Sequence, residues 1–166
     1  MVALTSDSLQ VFFYGSFMDI EVLRNLGVVP KKVETAELKN WSIIFSPLAT
    51  LVRSKGDSVY GTIAELSQDQ VRMLYTRDDL KHYNPVDITV ATKRNKRVSA
   101  QCYISKPSIG QNPSEEYLRR VIQAAESLGF PPADLARLRR TSNTQLETQS
   151  EGPEIRDGPV SSGSSS

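Results

Sequence analysis

The chain has 166 residues, a formal net charge of +1 and 39% hydrophobic residues, which suits one globular domain with a core of its own. No segment approaches the roughly 18 consecutive apolar residues that a membrane helix needs, and the first ten residues lack the basic and apolar regions of a secretory signal. With one cysteine and one histidine, the chain can form no internal disulfide and has too few ligands for a zinc site built from His and Cys. We therefore expect a cytoplasmic protein whose chemistry uses neither a metal nor a thiol.

A strand and a short helix come first, joined by a loop that contains glycine. The apolar run 11–14 is typical of a buried strand and stops at Gly15. Asp19 is placed to cap a helix that ends before Gly27. Because glycine allows a sharp turn, the backbone amides of this loop can face one concavity where a carboxylate binds. The alternative is a plain strand-to-helix turn.

Several strands follow, and three helical segments are interspersed with them. The strands are predicted at 32–38, 41–45, 50–53, 58–66, 86–92 and 97–105, with turns at 46–47, 55–57 and 94–96. Ser67 and Gln70 have the spacing of a capping box, a second helix runs from about 112 to Gly129, and a third covers 131–140. This order predicts a mixed α/β (α+β) domain with a curved, mostly antiparallel sheet or a small barrel.

The chain divides into three parts by composition. Residues 1–9 form an N-terminal extension, residues 10–140 form the domain, and residues 141–166 are predicted to be a disordered tail rich in Ser, Gly and Glu. The tail carries a net charge of −3, which leaves +4 on the rest. A charge of +4 is too small to predict nucleic-acid binding.

Two further features could belong to a site. The segment 74–83 contains the adjacent carboxylates Asp78 and Asp79, the single histidine His82, and Tyr83; the alternative is a solvated polar loop. Gly61 lies inside a predicted strand, where glycine marks either a bulge or the close approach of a ligand or a second backbone.

Three motifs occur in one order and at one set of spacings: FYGSFM at 13–18, VYG at 59–61 and the segment from 74 to 83. Together they resemble the gamma-glutamylcyclotransferase-like family, and the stretch 14–23 is most similar to its AIG2-like branch. The resemblance implies a small α/β barrel with a pocket at one mouth. It also implies an enzyme that converts a gamma-glutamyl amine, amide or peptide into 5-oxoproline and a free amine.

Site residues follow from the same resemblance, motif by motif. A loop that binds substrate through its backbone amides falls on Tyr14, Gly15, Ser16, Phe17 and Met18. The general acid/base falls on Asp78, and Tyr83 lines the pocket. The implied partner is a small-molecule substrate, with no cofactor, nucleic acid or membrane; the oligomeric state is not predicted.

The sequence departs from the family pattern in two ways. Asp78 and Asp79 stand where the family usually has Glu-Gly, and Pro85 replaces a frequent arginine. The shorter side chain of Asp78 sets its carboxyl group back by about 1–1.5 Å, and a misplacement of about 1 Å can cost on the order of a hundredfold in rate. Three explanations stay open: the backbone compensates, a different substrate undergoes a related proton transfer, or the chain binds without turnover.

A hydrolase built from Ser16, His82 and Asp78 is a further alternative. It requires the imidazole of His82 within about 3 Å of the Ser16 hydroxyl.

Overall fold

Five strands close into a barrel that short helices flank. The computed structural model describes residues 8–45, 48–78, 80–106 and 113–151, without the side chains of 142–151. The strands are β1 (Ser8–Phe13), β2 (Lys31–Phe45), β3 (Ala49–Ser67), β4 (Asn84–Thr92) and β5 (Arg97–Ile104), and the helices are α1 (Ile20–Asn25), α2 (Gln68–Tyr75), α3 (Glu115–Ser127) and α4 (Pro132–Glu151). The barrel order is β1-β3-β2-β4-β5, with a parallel contact only between β1 and β5. The predicted mixed α/β barrel is confirmed.

The long hairpin of β2 and β3 corrects the predicted strand count, because each strand is continuous where the sequence predicts two. Within β2, Asn40 has a φ of +72°, and the register with β3 shifts between Lys39 and Trp41. The buried side chains alternate at Leu38 before this bulge and at Trp41 and Ile43 after it. From Lys39 to Trp41 the partner on β3 moves from Ser58 to Arg53, so Asn40 faces four residues of β3 and both halves of β2 keep facing the core.

The predicted turn at 55–57 is wrong, because these residues lie inside β3. Gly56 has a φ of +89°, and its N–H donates to the Asn40 side chain at 3.1 Å. The hydroxyl of Ser54 hydrogen-bonds the carboxylate of Asp57. Residues that are typical of turns here form the longer side of this bulge, opposite Asn40, without reversing the chain. The turn predicted at 46–47 lies outside the described residues.

The predicted helix ends are confirmed by their hydrogen bonds. Asp19 accepts from the N–H of Glu21 at 3.0 Å. Ser67 and Gln70 form a reciprocal capping box, with bonds of 2.9 and 3.1 Å. Gly129, just beyond α3, has a φ of +72°, a conformation that glycine adopts readily.

The last helix is longer than predicted. α4 runs to Glu151, so the boundary predicted at 141 falls inside it. Residues 152–166, the rest of the predicted tail, lie outside the described residues. No helix within the described part of the chain is both long and apolar enough to cross a bilayer.

Gly61 of β3 lies close against β1. A Cβ at this position would lie 2.2 Å from the carbonyl oxygen of Phe13 and 2.8 Å from the ring of Phe12. Both phenylalanines are buried in the core. The glycine therefore admits the backbone and a side chain of β1, which decides between the alternatives that the sequence left open.

Candidate functional site

A cavity of about 400 Å³ opens at the barrel mouth where β1 ends. The loop after β1, the start of β3, the end of α2, the end of β5 and one face of α3 meet there. The residues that define its chemistry are Tyr14, Gly15, Ser16, Phe17, Ala49, Tyr75, Arg77, Tyr83, Tyr103, Tyr117 and Arg120. Elements that are far apart in sequence thus supply one concave surface, as in most ligand sites.

The loop after β1 folds as a short 3₁₀ turn at Ser16–Met18. The N–H of Met18 donates to the carbonyl of Gly15 at 3.1 Å, and the Met18 side chain is buried in the core. Of the five residues assigned to substrate binding, Tyr14 through Phe17 line the cavity and Met18 does not.

Gly15 lies directly under a helix and a strand. A Cβ at this position would lie 3.0 Å from the Tyr117 hydroxyl and 3.1 Å from the Cβ of Ala49. Both distances are shorter than ordinary carbon contacts. Glycine at 15 therefore lets the loop pack tightly against α3 and the start of β3.

Five of the described residues that line the cavity are tyrosines, and hydrogen bonds orient Tyr14 and Tyr83. The hydroxyl of Tyr14 donates to the carbonyl of Tyr103 at 2.6 Å, and that of Tyr83 donates to the carbonyl of Ala49 at 2.7 Å. The rings of Tyr75 and Tyr103 stack with centroids 3.9 Å apart. Tyr83 therefore lies at the cavity, while its contact with a substrate stays a prediction.

Tyr117 is a site residue that the sequence patterns did not reveal. Its hydroxyl accepts the N–H of Ala49 at 3.0 Å. Burial raises the pKa of Tyr117 to about 12, and hydrogen bonds with Ala49 and Ser16 lower that pKa in part. In the sequence, Tyr117 belongs to the apolar face of a helix, and amphipathic periodicity does not separate a core tyrosine from one at a cavity.

The tyrosines of the wall are neutral near pH 7. Burial, followed by the neighbouring tyrosines, raises the pKa of both Tyr14 and Tyr75 well above its usual value. These phenols can hydrogen-bond a ligand but cannot act as bases at neutral pH. Among the described residues that line the cavity, the ionised side chains are Arg77 and Arg120, and none is a carboxylate.

Asp78, assigned as the acid/base, lies outside this lining. Its side chain is fully exposed, and Oδ1 is 3.7 Å from Nζ of Lys81. Asp79 lies outside the described residues. His82 is exposed and does not line the cavity, so the structure does not bring Ser16, His82 and Asp78 together. A catalytic role for Asp78 stays a prediction.

A larger cleft, of about 770 Å³, lies away from this mouth. Lys39, Arg53 and Asp87 contribute charges of both signs to it, and the Arg53 guanidinium stacks 4.5 Å from the ring of Trp41. It contains none of the predicted site residues. Although this cleft is larger, the mouth cavity is the better candidate, because Tyr83 and residues 14–17 of the predicted site line it.

The residues that the structure describes include no group of three or more His, Cys, Asp or Glu side chains placed to hold a metal ion.

The fold is a small α/β barrel with a cavity at one mouth, and the glycine loop, residues 14–17, forms part of the cavity wall. Residues 58–138 match the model of the AIG2-like family. Gamma-glutamylcyclotransferase from Bos taurus is 26% identical over 86 residues, which is 51% of this chain and 46% of the bovine protein. The human gamma-glutamylcyclotransferase is 24% identical over 86 residues. The chain thus spans about half the length of these curated relatives.

Solved structures share the fold over most of the chain. A gamma-glutamyl cyclotransferase superposes with a TM-score of 0.71 at 22% identity, covering 80% of this chain and 86% of the other. An uncharacterised Homo sapiens protein gives a TM-score of 0.72 at 21% identity and covers 93% and 94%. The predicted resemblance is confirmed as a similarity in sequence to the AIG2-like family over residues 58–138 and in fold to a gamma-glutamyl cyclotransferase.

Proposed function

We propose that this chain releases 5-oxoproline from a small gamma-glutamyl amine or peptide. The observation that carries the proposal is the cavity at the barrel mouth, where the loop from Tyr14 to Phe17 meets Tyr83. The cavity is large enough for one small molecule. The similarity to gamma-glutamylcyclotransferases adds support.

The reaction is an internal displacement that needs one proton shuttle. The α-amine of the substrate loses a proton, and its nitrogen attacks the gamma-carbonyl carbon to close a five-membered ring. The bond from that carbon to the leaving nitrogen then breaks, and the leaving nitrogen takes up the proton. A single carboxyl group can accept and return the proton, and we assign this role to Asp78.

Asp78 must turn toward the cavity for this role. Its present partner is Lys81, at 3.7 Å and on the surface, and an exposed ion pair of this kind contributes little to stability. Its neighbour Arg77 already lines the cavity. A local rearrangement of this turn on substrate binding is therefore inexpensive, and catalytic contacts often tighten only in the complex.

An assay of 5-oxoproline release tests the proposal on a panel of gamma-glutamyl amines and dipeptides. We expect release from at least one compound, and Asp78→Asn should lower kcat at least a hundredfold, within the usual range for a lost acid/base. Asp69→Asn is the matched control, because Asp69 is equally exposed and pairs with Arg72 at the same spacing. Equal rates for the wild type and Asp78→Asn, or no release from any compound, would refute the proposal.

A second candidate is a binding module that uses the same cavity without turnover. The exposure of Asp78 and the absence of a carboxylate among the described lining residues favour it. In that case gamma-glutamyl compounds bind with unchanged affinity to Asp78→Asn, and no product forms with either protein.

A further inference from the structure

We propose that Arg77 and Arg120 form a cationic rim at the cavity edge, on the side away from the glycine loop. This rim selects ligands that carry an acidic group on that side. This inference rests on the proposed function and adds a specificity to it: the preferred leaving amine is an amino acid with a side-chain carboxylate. Both arginines line the cavity, and both are exposed at its edge.

The position of Arg120 follows from the geometry of α3. Tyr117 and Arg120 are three residues apart and therefore lie on one face of the helix. Tyr117 points at the cavity, since its hydroxyl accepts the N–H of Ala49. Arg120 lines the same cavity one turn further on, while Leu118 and Val121 are buried in the core.

The charge of the cavity wall has one sign among the described residues. Arg77 and Arg120 supply the positive charges, and the other described lining residues are tyrosines, further apolar or small side chains, and Asn25. The carboxylate closest to the rim on α3 is Glu116, which pairs with Arg120 at 2.9 Å. Both partners of that pair are more than half exposed, so a bound carboxylate can share Arg120 or replace Glu116 at small cost.

The glycine loop and the arginines occupy different depths. In the loop, Tyr14 is buried and residues 15–17 are half-buried, whereas Arg77 and Arg120 are exposed. A gamma-glutamyl group held by the loop leaves the amine portion directed outward, toward the rim. An acidic side chain on that portion then meets the guanidinium groups, and arginine suits carboxylates because it can donate two parallel N–H bonds.

The experiment compares two isosteric ligands, gamma-glutamyl-glutamate and gamma-glutamyl-glutamine, which differ only in the charge of the leaving side chain. Affinity is measured by calorimetry, and release of 5-oxoproline is measured separately. We expect the wild type to bind the glutamate compound about fivefold more tightly at low salt, with the preference fading as salt screens it. Arg120→Gln should abolish most of this preference.

The residue directly before Arg120 on α3 supplies a matched control. Arg119 is equally exposed and pairs with Glu115 at the same i,i+4 spacing, but it does not line the cavity. Arg119→Gln should keep the full preference. Glu116→Gln, which removes the competitor of the ligand, should increase the preference.

The outcomes separate the two proposals. A binding preference for the glutamate compound that Arg120→Gln removes, without any 5-oxoproline release, supports the rim and contradicts the enzymatic function. Release of product with equal affinity for both compounds supports the enzyme and overturns the rim. Equal loss of preference in Arg119→Gln and Arg120→Gln, or no binding of either compound, also overturns it.

Discussion

At the scale of single residues, one contact organises the candidate site. The Tyr117 hydroxyl lies above Gly15 and accepts the N–H of Ala49 at 3.0 Å. This hydroxyl brings α3, the glycine loop and β3 into contact with one another. In the sequence, Gly15 is recognisable from its place at the end of a strand. Its partner Tyr117 comes from a helix about a hundred residues later, and no local pattern identifies it.

Gly15→Ala should impair both 5-oxoproline release and folding stability. The added methyl group meets the Tyr117 hydroxyl and the Ala49 side chain at about 3 Å, so the loop must move outward by a few tenths of an ångström. Because misplacement costs rate steeply, we expect a ten- to hundredfold fall in kcat/KM for 5-oxoproline release. The unfolding free energy, measured in urea, should fall by about 1–3 kcal/mol. Unchanged kcat/KM would show that the loop does not need this close approach.

Cys102 should be chemically inert in the folded protein. It is fully buried, and burial raises the pKa of its thiol to about 12. Since the thiolate is the reactive form, labelling by a disulfide reagent at pH 8 should be slowed at least a thousandfold relative to the protein in urea. Comparable labelling rates in both states would contradict the buried position.

At the scale of elements, the packing of α4 against the barrel buries the carboxyl group of Asp134, and this burial disfavours its ionised form. Asp134 is 7% exposed, and burial raises its pKa to about 6; Arg137 opposes this rise and Glu37 of β2 adds to it. Arg137 reaches Asp134 only at 4.0 Å, while it donates to the Ser58 carbonyl of β3 at 2.8 Å. Tyr60 of β3 also lies in this group, close to Glu37.

Asp134→Asn should stabilise the protein at neutral pH. Because the folded-state pKa is raised, the wild type is favoured by protonation, and its stability falls as pH rises from about 4 through 6. The variant lacks this penalty, so its unfolding free energy should exceed that of the wild type by about 1–3 kcal/mol at pH 8 and match it near pH 4. Asp69→Asn, an exposed control, should show no such dependence. A variant less stable than the wild type at pH 8 would contradict the burial argument.

Gly61→Ala should destabilise the barrel through a direct clash between β1 and β3. The methyl group would lie 2.2 Å from the Phe13 carbonyl oxygen, and backbone atoms cannot move aside as flexible side chains do. We expect the unfolding free energy to fall by about 3 kcal/mol or more. Gly56→Ala is the comparison: its φ of +89° is strained for alanine but it has open space, so a loss of about 1 kcal/mol is expected. A smaller loss at 61 than at 56 would contradict this account.

Elements with local signals were predictable from the sequence, and those set by long-range pairing were not. Capping side chains such as Asp19 and Ser67 act within a few residues, so the helix starts followed from the sequence. The residues 55–57 read as a turn because Gly and Asp favour turns, but their conformation is decided by Asn40 on the facing strand. Tertiary pairing overrides local preference in such a case.

At the scale of the whole molecule, closure of the barrel brings residues from distant parts of the chain to one mouth. The loop at Gly15, the end of β5 at Tyr103 and the α3 residue Tyr117 line one cavity, although each of these positions alone is compatible with an ordinary turn or core position. The resemblance therefore predicted the fold and the glycine loop. It could not predict the direction of the Asp78 side chain, because that depends on rotation within an exposed turn.

The most direct test of the central claim is a crystal structure with 5-oxoproline bound. The account predicts the ligand in the mouth cavity against the backbone of Gly15 to Phe17, with the Asp78 carboxylate turned inward to within about 2.6–3.2 Å of the ligand nitrogen. A ligand bound at the larger cleft, or one bound at the mouth while Asp78 keeps its pair with Lys81, would contradict it.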